Sequence, residues 1–593
     1  MKLPAHLKRY AVTQDYDRYT PVDQAVWRYV MRQLASGLVK TAHPCYLQGL
    51  RDSGISLDQI PDLDQMNEKL EKYGWNVIAV SGFIPPAAFM ELQAHGFLPV
   101  ASDLRTVDHL LYTPAPDIVH EAAGHAPILI EPEFAAYLRR YAQVASKAII
   151  SSEDMAQYEA IRVLSDLKED PTSTETDIRA AEVALNEVNA SMSHVSEAAL
   201  LGRMNWWTAE YGLIGTLEEP RIYGAGLLSS IEESRECLSP RVKKLPLTVD
   251  CIDYTYDITE MQPQLFVTPT FAHLSVVLDE LAERMAFKRG GLEGLEKARG
   301  AGTVNTVEVD SGLQISGRLT SFVSSGERID YVQFTGPCQM SSRGVEISGH
   351  GVSSHREGFG SPLGFIEGFD RPLSDMTNEQ LSAFGISAGA PASLKFVSGV
   401  HVVGHVVSVT RDNVTGRLVL ISFKDCRVTL GAKVLFDPAW GVFDMAVGVH
   451  VTSVFGGPAD RLAYGETEDF AAKVIPRKVP SPLMQEKHRL YQEVRAIRDL
   501  MESVGAAGLK DASALAASSA DEMSSRLERV YSRLEADFPH DWLLRLEILE
   551  LARLLPSDSW RARLDLELEN MSEADARVAD RIAEGVQVFG QTF

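Results

Sequence analysis

Apolar residues in the first half of the chain recur at helical spacing. Between residues 21 and 34, positions 22, 26, 29, 30 and 34 form one stripe, opened by a proline that suits a first helical turn. Residues 1–290 carry this texture almost throughout and predict a mainly helical unit. Residues 150–200 are charged and Ala-rich, broken at Pro171-Thr172-Ser173-Thr174. They predict a helical hairpin with Thr174 or Ser173 near the second N-cap. Gly-rich stretches at 289–292 and 299–302 mark a boundary, after which the period falls to two. Residues 313–319 and 402–409 alternate, a turn at 413–416 leads into 417–421, and 427–430 reads as a further short strand. Residues 300–456 are therefore expected to be β-rich. From Pro482 onward helical stripes return, one through Leu483, Leu490, Val494, Ile497, Met501 and Val504, another through Leu527, Val530, Tyr531 and Leu534. The expected class is multidomain: a mainly α core over 1–290 with a hairpin insertion at about 150–200, a β-rich domain over 300–456 and a helical bundle over 480–593.

Size agrees with this division, since 593 residues at roughly 100–200 per domain give three or four units. A net charge of −24 argues against nucleic-acid or anionic-membrane partners, which need basic patches. Five scattered cysteines without a C-x-x-C pair fit a reducing compartment, and the expected location is cytoplasmic. The first residues lack the apolar segment of a secretory signal, and no run approaches the roughly 18 apolar residues that span a bilayer.

The candidate chemistry lies at Asp117-Ile118-Val119-His120-Glu121-Ala122-Ala123-Gly124-His125. Two imidazoles that converge are typical ligands for a divalent transition metal. The metalloprotease pattern H-E-x-x-H sets its histidines about 40° apart on a helix, whereas His120 and His125, five apart, would stand about 140° apart on an ideal one. Both face one ion only if His120 sits at a helix edge or the helix is irregular, and Gly124 makes irregularity low in energy. A 2-His-1-carboxylate site needs a third ligand. Glu121, Glu131, Glu133 and many distant carboxylates are open candidates from the residues alone.

Three stretches resemble the catalytic core of the pterin-dependent aromatic amino acid hydroxylases. They are 112–127, which holds both histidines; Trp206-Trp207-Thr208-Ala209-Glu210-Tyr211-Gly212-Leu213; and Tyr223-Gly224-Ala225-Gly226-Leu227-Leu228-Ser229-Ser230. The resemblance covers about half the chain. It implies Fe(II) held by His120, His125 and Glu210, with a tetrahydropterin such as tetrahydrobiopterin as cosubstrate. It places Glu121, Phe89 and Ile84 at the pterin, and Arg105, a natural fork for a carboxylate, at the amino acid substrate. Thr113 and Ser229 fall near the substrate's polar end, Pro116 and Trp206 in the walls of its ring pocket. Ile258 falls where phenylalanine hydroxylases are aliphatic; an apolar wall there disfavours a ring hydroxyl, which would lack a partner. The implied activity is hydroxylation of L-phenylalanine to L-tyrosine with O₂, with tryptophan or tyrosine as alternative substrates.

Two rivals accompany this reading. A zinc hydrolase with Glu121 as base is disfavoured by the histidine spacing. A binding or assembly role for the C-terminal half makes that half a candidate surface for homo-oligomers. The family pattern is departed from at Pro99, where a histidine is common, and at Asn205, where a tyrosine is common. The interval from His125 to Glu210, 210 − 125 = 85 residues, exceeds the family's, and the 150–200 hairpin accounts for the excess. Two further pairs, His350 with His355 and His401 with His405, have no partnering carboxylate or cysteine legible nearby and are read as ordinary residues.

Overall fold

The structure is a computed structural model that describes residues 2–81, 84–107, 110, 117–169, 173–257, 260–465, 480–508, 517–555 and 559–589. Thr113, Pro116 and Ile258 lie outside the described residues.

The helix Pro21–Leu38 starts where its stripe predicts, closed by a capping box in which Thr20 accepts from the Asp23 amide and Asp23 accepts from that of Thr20. Burial extends well beyond the stripe to Trp27, Arg28, Met31 and Gln33. The reason is tertiary: helices Pro482–Gly508, Trp542–Arg553 and Ala576–Val588 pack on this helix from the far end of the chain. Val26, Tyr29 and Val30 share one apolar core with Leu490, Ile497, Leu546 and Phe589. Leu483, placed in the sequence stripe, is exposed instead, because it lies at the first turn of its helix.

Two small sheets complete the N-terminal half. β1 (Asn76–Val80) and β2 (Phe97–Ala101) run parallel, linked by the helix Pro86–Ala94. β3 (Leu213–Gly215), β4 (Pro220–Ile222), β5 (Lys243–Pro246) and β6 (Gln264–Thr268) form a sheet in the order β4-β3-β6-β5. The helices Ser152–Glu169 and Glu175–Ser191 pack on each other as a hairpin, and Thr174 caps the second through a box with Asp177.

The stretch 289–302 is not a plain linker. It holds a helix, Gly291–Ala301, flanked by Gly290 and Gly302 at φ +56° and +69°. Leu295 and Ala298 on this helix bury against the strands that follow. Those strands are β7 (Asn305–Val309), β8 (Leu313–Ser325), β9 (Arg328–Ser342), β10 (Val345–Glu346), β11 (Gly358–Pro362), β12 (Pro391–Lys395), β13 (Val400–Arg411), β14 (Leu418–Leu430), β15 (Lys433–Phe436), β16 (Phe443–Ala446) and β17 (Val451–Gly456). They make two antiparallel sheets, β10-β9-β8-β7-β17 with β11 on β9, and β12-β13-β14-β15 with β16 on β14. Residues 427–430 are the end of β14 rather than a separate strand. Asp425, at φ +50°, and Cys426 bulge opposite Gly404 and leave the pairing with β13 unbroken. Val419, Leu420 and Ala446 of the second sheet join Val307, Ile315 and Phe334 of the first in a single core. His401 and His405 point to the outer face of β13, where His401 meets Ser393 at 2.8 Å and His405 stands 3.8 Å from Asp425.

All five cysteines are buried and unpaired. Among the described residues, no helix is long and apolar enough to cross a membrane.

Candidate metal centre

The spacing of His120 and His125 is resolved by backbone geometry. Val119–His125 is a π-helix, whose hydrogen bonds run five residues apart and so stack residues five apart on one face. The two rings meet edge to face, 5.2 Å between centroids. Glu210 ends a second π-helical turn, Trp206–Glu210, which continues the helix Glu197–Asn205. A hydroxyl sits inside that turn: Thr208 Oγ donates to Met204 O at 2.6 Å and meets Tyr137 Oη at 2.8 Å. Such an intrahelical bond competes with the regular ladder and favours the widened turn.

Glycines let the two turns meet. A Cβ on Gly124 would lie 2.7 Å from Ala225 O, and one on Gly224 would lie 2.5 Å from Glu210 O. Gly124 therefore serves close approach of the helix Ala225–Ser229, not only backbone freedom. That approach brings Ser229 to His120. Ser229 Oγ donates to Ala225 O at 2.7 Å, so it accepts from His120 Nδ1 at 3.1 Å. The proton is thus placed on Nδ1, and the lone pair of Nε2 points away from Ser229.

That lone pair faces Glu210. His120 Nε2 lies 3.2 Å from Glu210 Oε2, and His125 Nε2 lies 3.3 Å from Glu210 Oε1. Asn205 Nδ2 donates to Glu210 Oε1 at 3.2 Å and helps to fix the carboxylate. Burial works against the ionised Glu210, but the adjoining His125 and His120 hold its pKa far below the ordinary range. Burial also opposes a charged His125, yet Glu210 raises it to about 9. Both shifts state one need: the carboxylate requires positive charge beside it. A lone pair facing a carboxylate at 3.2 Å is met best by a cation between them. Two imidazoles and one carboxylate suit ferrous iron, whose remaining positions they would leave to other ligands. The donor set therefore fits the implied metal.

Arg105 is buried, and its guanidinium is clamped by Asp117, which accepts from Nε at 2.7 Å, from Nη2 at 2.8 Å and from the Arg105 amide at 3.0 Å. Nη1 donates to Ser229 O at 3.3 Å. Asp117 also accepts from the His120 amide at 3.1 Å, and Arg105 holds its carboxyl below the usual range despite burial. Sequence reasoning missed Asp117; its signal was its place three residues before His120, where a helix-capping acid belongs. Glu121 is buried beside His125, Oε2 to Nε2 4.0 Å, and burial raises its pKa against the pull of His125 and His120. Trp206 is stacked between Tyr211 and Tyr256, at 4.5 and 4.3 Å between centroids. Ile84 belongs to a separate small apolar cluster with Leu7, Ile78 and Leu92, and Phe89 packs against it.

Comparison with known proteins identifies the family of the surrounding chain. Residues 8–159 and 177–289 match the family model for biopterin-dependent aromatic amino acid hydroxylases, and the gap between them falls within the helical hairpin. The chain is 31% identical over 266 residues to phenylalanine-4-hydroxylase of Mesorhizobium japonicum, covering 44% of this chain and 80% of that one. It is 31% identical over 283 residues to phenylalanine-4-hydroxylase of Chromobacterium violaceum, covering 45% and 80%. The crystal structure of the Chromobacterium enzyme with bound iron(III) and oxidised 7,8-dihydrobiopterin covers 48% of this chain and 88% of its own, at 28% identity and TM-score 0.37.

Proposed function

The chain belongs to the biopterin-dependent aromatic amino acid hydroxylases, and on that premise we propose that it converts L-phenylalanine to L-tyrosine at the centre formed by His120, His125 and Glu210. It is an iron- and pterin-dependent monooxygenase. The observation that carries the site is the convergence of two imidazole Nε2 atoms on the two oxygens of one carboxylate across 85 residues of sequence. When bound, ferrous iron and a tetrahydropterin supply O₂ activation, with two electrons from the pterin.

The chain's own groups bind, orient and exclude water. Ser229 keeps the His120 proton on Nδ1, so that Nε2 ligates. Asp117 holds the Arg105 fork in one orientation, so that its Nη1 edge receives the substrate carboxylate. Trp206, wedged between two tyrosines, is a rigid wall for the aromatic ring. Glu121, whose carboxyl pKa burial raises, is available for a hydrogen bond at the pterin, and Phe89 and Ile84 offer the pterin an apolar surface. Phenylalanine is the substrate of choice because the relatives carry that activity by name and Ile258 is apolar. Membership of the hydroxylase family, rather than the ligand set, disfavours a zinc hydrolase at this centre.

Purified protein given Fe(II), tetrahydrobiopterin, O₂ and phenylalanine should yield tyrosine in preference to products from tyrosine or tryptophan. Failure to hydroxylate any of the three would overturn the reading. Glu210→Ala should abolish turnover and iron retention together; an unchanged rate would remove Glu210 from the ligand set.

A further inference from the structure

The match to the hydroxylase family ends at residue 289, before the first strand of the β-rich half. There the two histidines that the sequence left without a partner acquire one. Asp444, 89 residues beyond His355 (444 − 355), comes to them on β16. The geometry points to a second metal site, made by His350, His355 and Asp444, that binds a zinc-class divalent ion.

Three specific atoms define it. His350 Nδ1 and His355 Nε2 are 3.4 Å apart, and each lies 3.7 Å from Asp444 Oδ2. A separation of 3.7 Å is too long for a hydrogen bond from either ring to the carboxylate. It is close to the spacing of donors around a tetrahedral ion, about 3.3–3.4 Å for metal–ligand bonds of about 2.0–2.1 Å. An octahedral ion with bonds of about 2.1 Å would set neighbouring donors nearer, at about 3.0 Å. The triangle therefore favours a tetrahedral ion with its fourth position left to water.

The surroundings hold each donor in place. Asp444 Oδ1 accepts from Ser422 Oγ at 2.5 Å, on the neighbouring strand, which turns Oδ2 toward the histidines. The loop after β10 is strapped to β9 at both histidines: the Met340 amide donates to His350 O at 2.9 Å and the Cys338 amide to His355 O at 3.0 Å. The rings consequently lie nearly parallel, 17° between planes, and Phe359 backs His355 edge on. The side chains of His350, His355 and Asp444 are 15%, 9% and 12% exposed, so the triangle is shielded yet reachable. The histidines belong to the sheet of β9 and the aspartate to the sheet of β14, so an ion here ties the two sheets together.

The test uses the full-length protein, stripped with chelator, equilibrated with Zn(II) and freed of excess. Metal analysis should find about one zinc per chain fewer in Asp444→Asn and in His355→Gln than in the wild type. Equal zinc content in wild type and both variants would overturn the site. Should either variant fail to fold, a crystal of the wild type grown with Zn(II) decides. An anomalous peak about 2.0–2.2 Å from His350 Nδ1, His355 Nε2 and Asp444 Oδ2 supports the proposal, and its absence from that triangle rejects it.

Discussion

At the scale of single residues, the centre depends on groups outside the set that would hold the metal. Ser229 decides which nitrogen of His120 carries the proton. Ser229→Ala should therefore lower iron affinity by about 10–100-fold while the fold survives, since outer-shell partners of ligating histidines typically carry that much. Fe(II) titration alongside circular dichroism checks it; unchanged affinity would leave Ser229 with no positioning role. The ligand types were legible in the sequence because imidazole spacing and carboxylate chemistry are local facts. The third ligand was not legible from the residues themselves, since nothing near His120 singles out Glu210 among many acids; the resemblance supplied it. Asp117 went unread because its partner Arg105 was already assigned to the substrate, and a buried guanidinium can serve a clamp and a ligand at once. Asp444 went unread for His350 and His355 because only the folded sheets bring it near.

At the scale of elements, the two π-turns and the short helix Ala225–Ser229 form one unit, packed backbone to backbone. Gly124→Ala would drive a methyl to 2.7 Å from Ala225 O, and that atom cannot swing away as a side-chain end can. The helix must shift and carry Ser229 with it. We expect a loss of about 1–3 kcal/mol in stability together with weakened iron retention, read by denaturant unfolding and metal analysis. Wild-type values for both would refute the close-approach argument. The sequence hinted at irregularity through the i, i+5 spacing, but it assigned Gly124 to conformational freedom. The actual constraint is a neighbour 101 residues away (225 − 124), which no local pattern can reveal. The bulge at Asp425 was hidden for a related reason: a bulge and a turn look alike in period-two text, and only the register of β13 separates them.

At the scale of the whole molecule, the helix Pro21–Leu38 is held from both sides. Arg28 donates to Glu547 through Nε at 2.8 Å and Nη2 at 2.7 Å, Arg498 donates to Glu547 and Glu550, and Arg32 reaches Glu550 and Asp58. Burial opposes the ionised Glu547, but Arg28 and then Arg498 hold its pKa below the ordinary value of 4.5. A carboxylate depressed in the folded state stabilises it fully above the unfolded value and loses that contribution as pH falls toward the native one. The chain should thus lose stability as pH drops below about 4.5, and Glu547→Gln should blunt that slope. Breaking the network outright with Glu547→Ala should cost about 3–5 kcal/mol near neutrality, because it leaves Arg28 buried without its counter-charge. Denaturation midpoints across pH test both; identical slopes in wild type and Glu547→Gln would dismiss the assignment. The amphipathic stripes over 22–34, 483–504 and 527–534 were readable separately, but not the helix Trp542–Arg553 that carries Glu547. The contact between the two ends of the chain was not readable either, because the charged residues that join them, 519 positions apart (547 − 28), look like ordinary solvated faces in the sequence.

That shared apolar core gives the tail a hold over the reaction it never touches. Lesions at Leu546 or Trp542, remote in sequence from every iron ligand, would loosen Tyr29 and with it the scaffold beneath the centre. In a living cell such alleles would present as scarce enzyme rather than slow enzyme, cleared by quality control before catalysis could be judged.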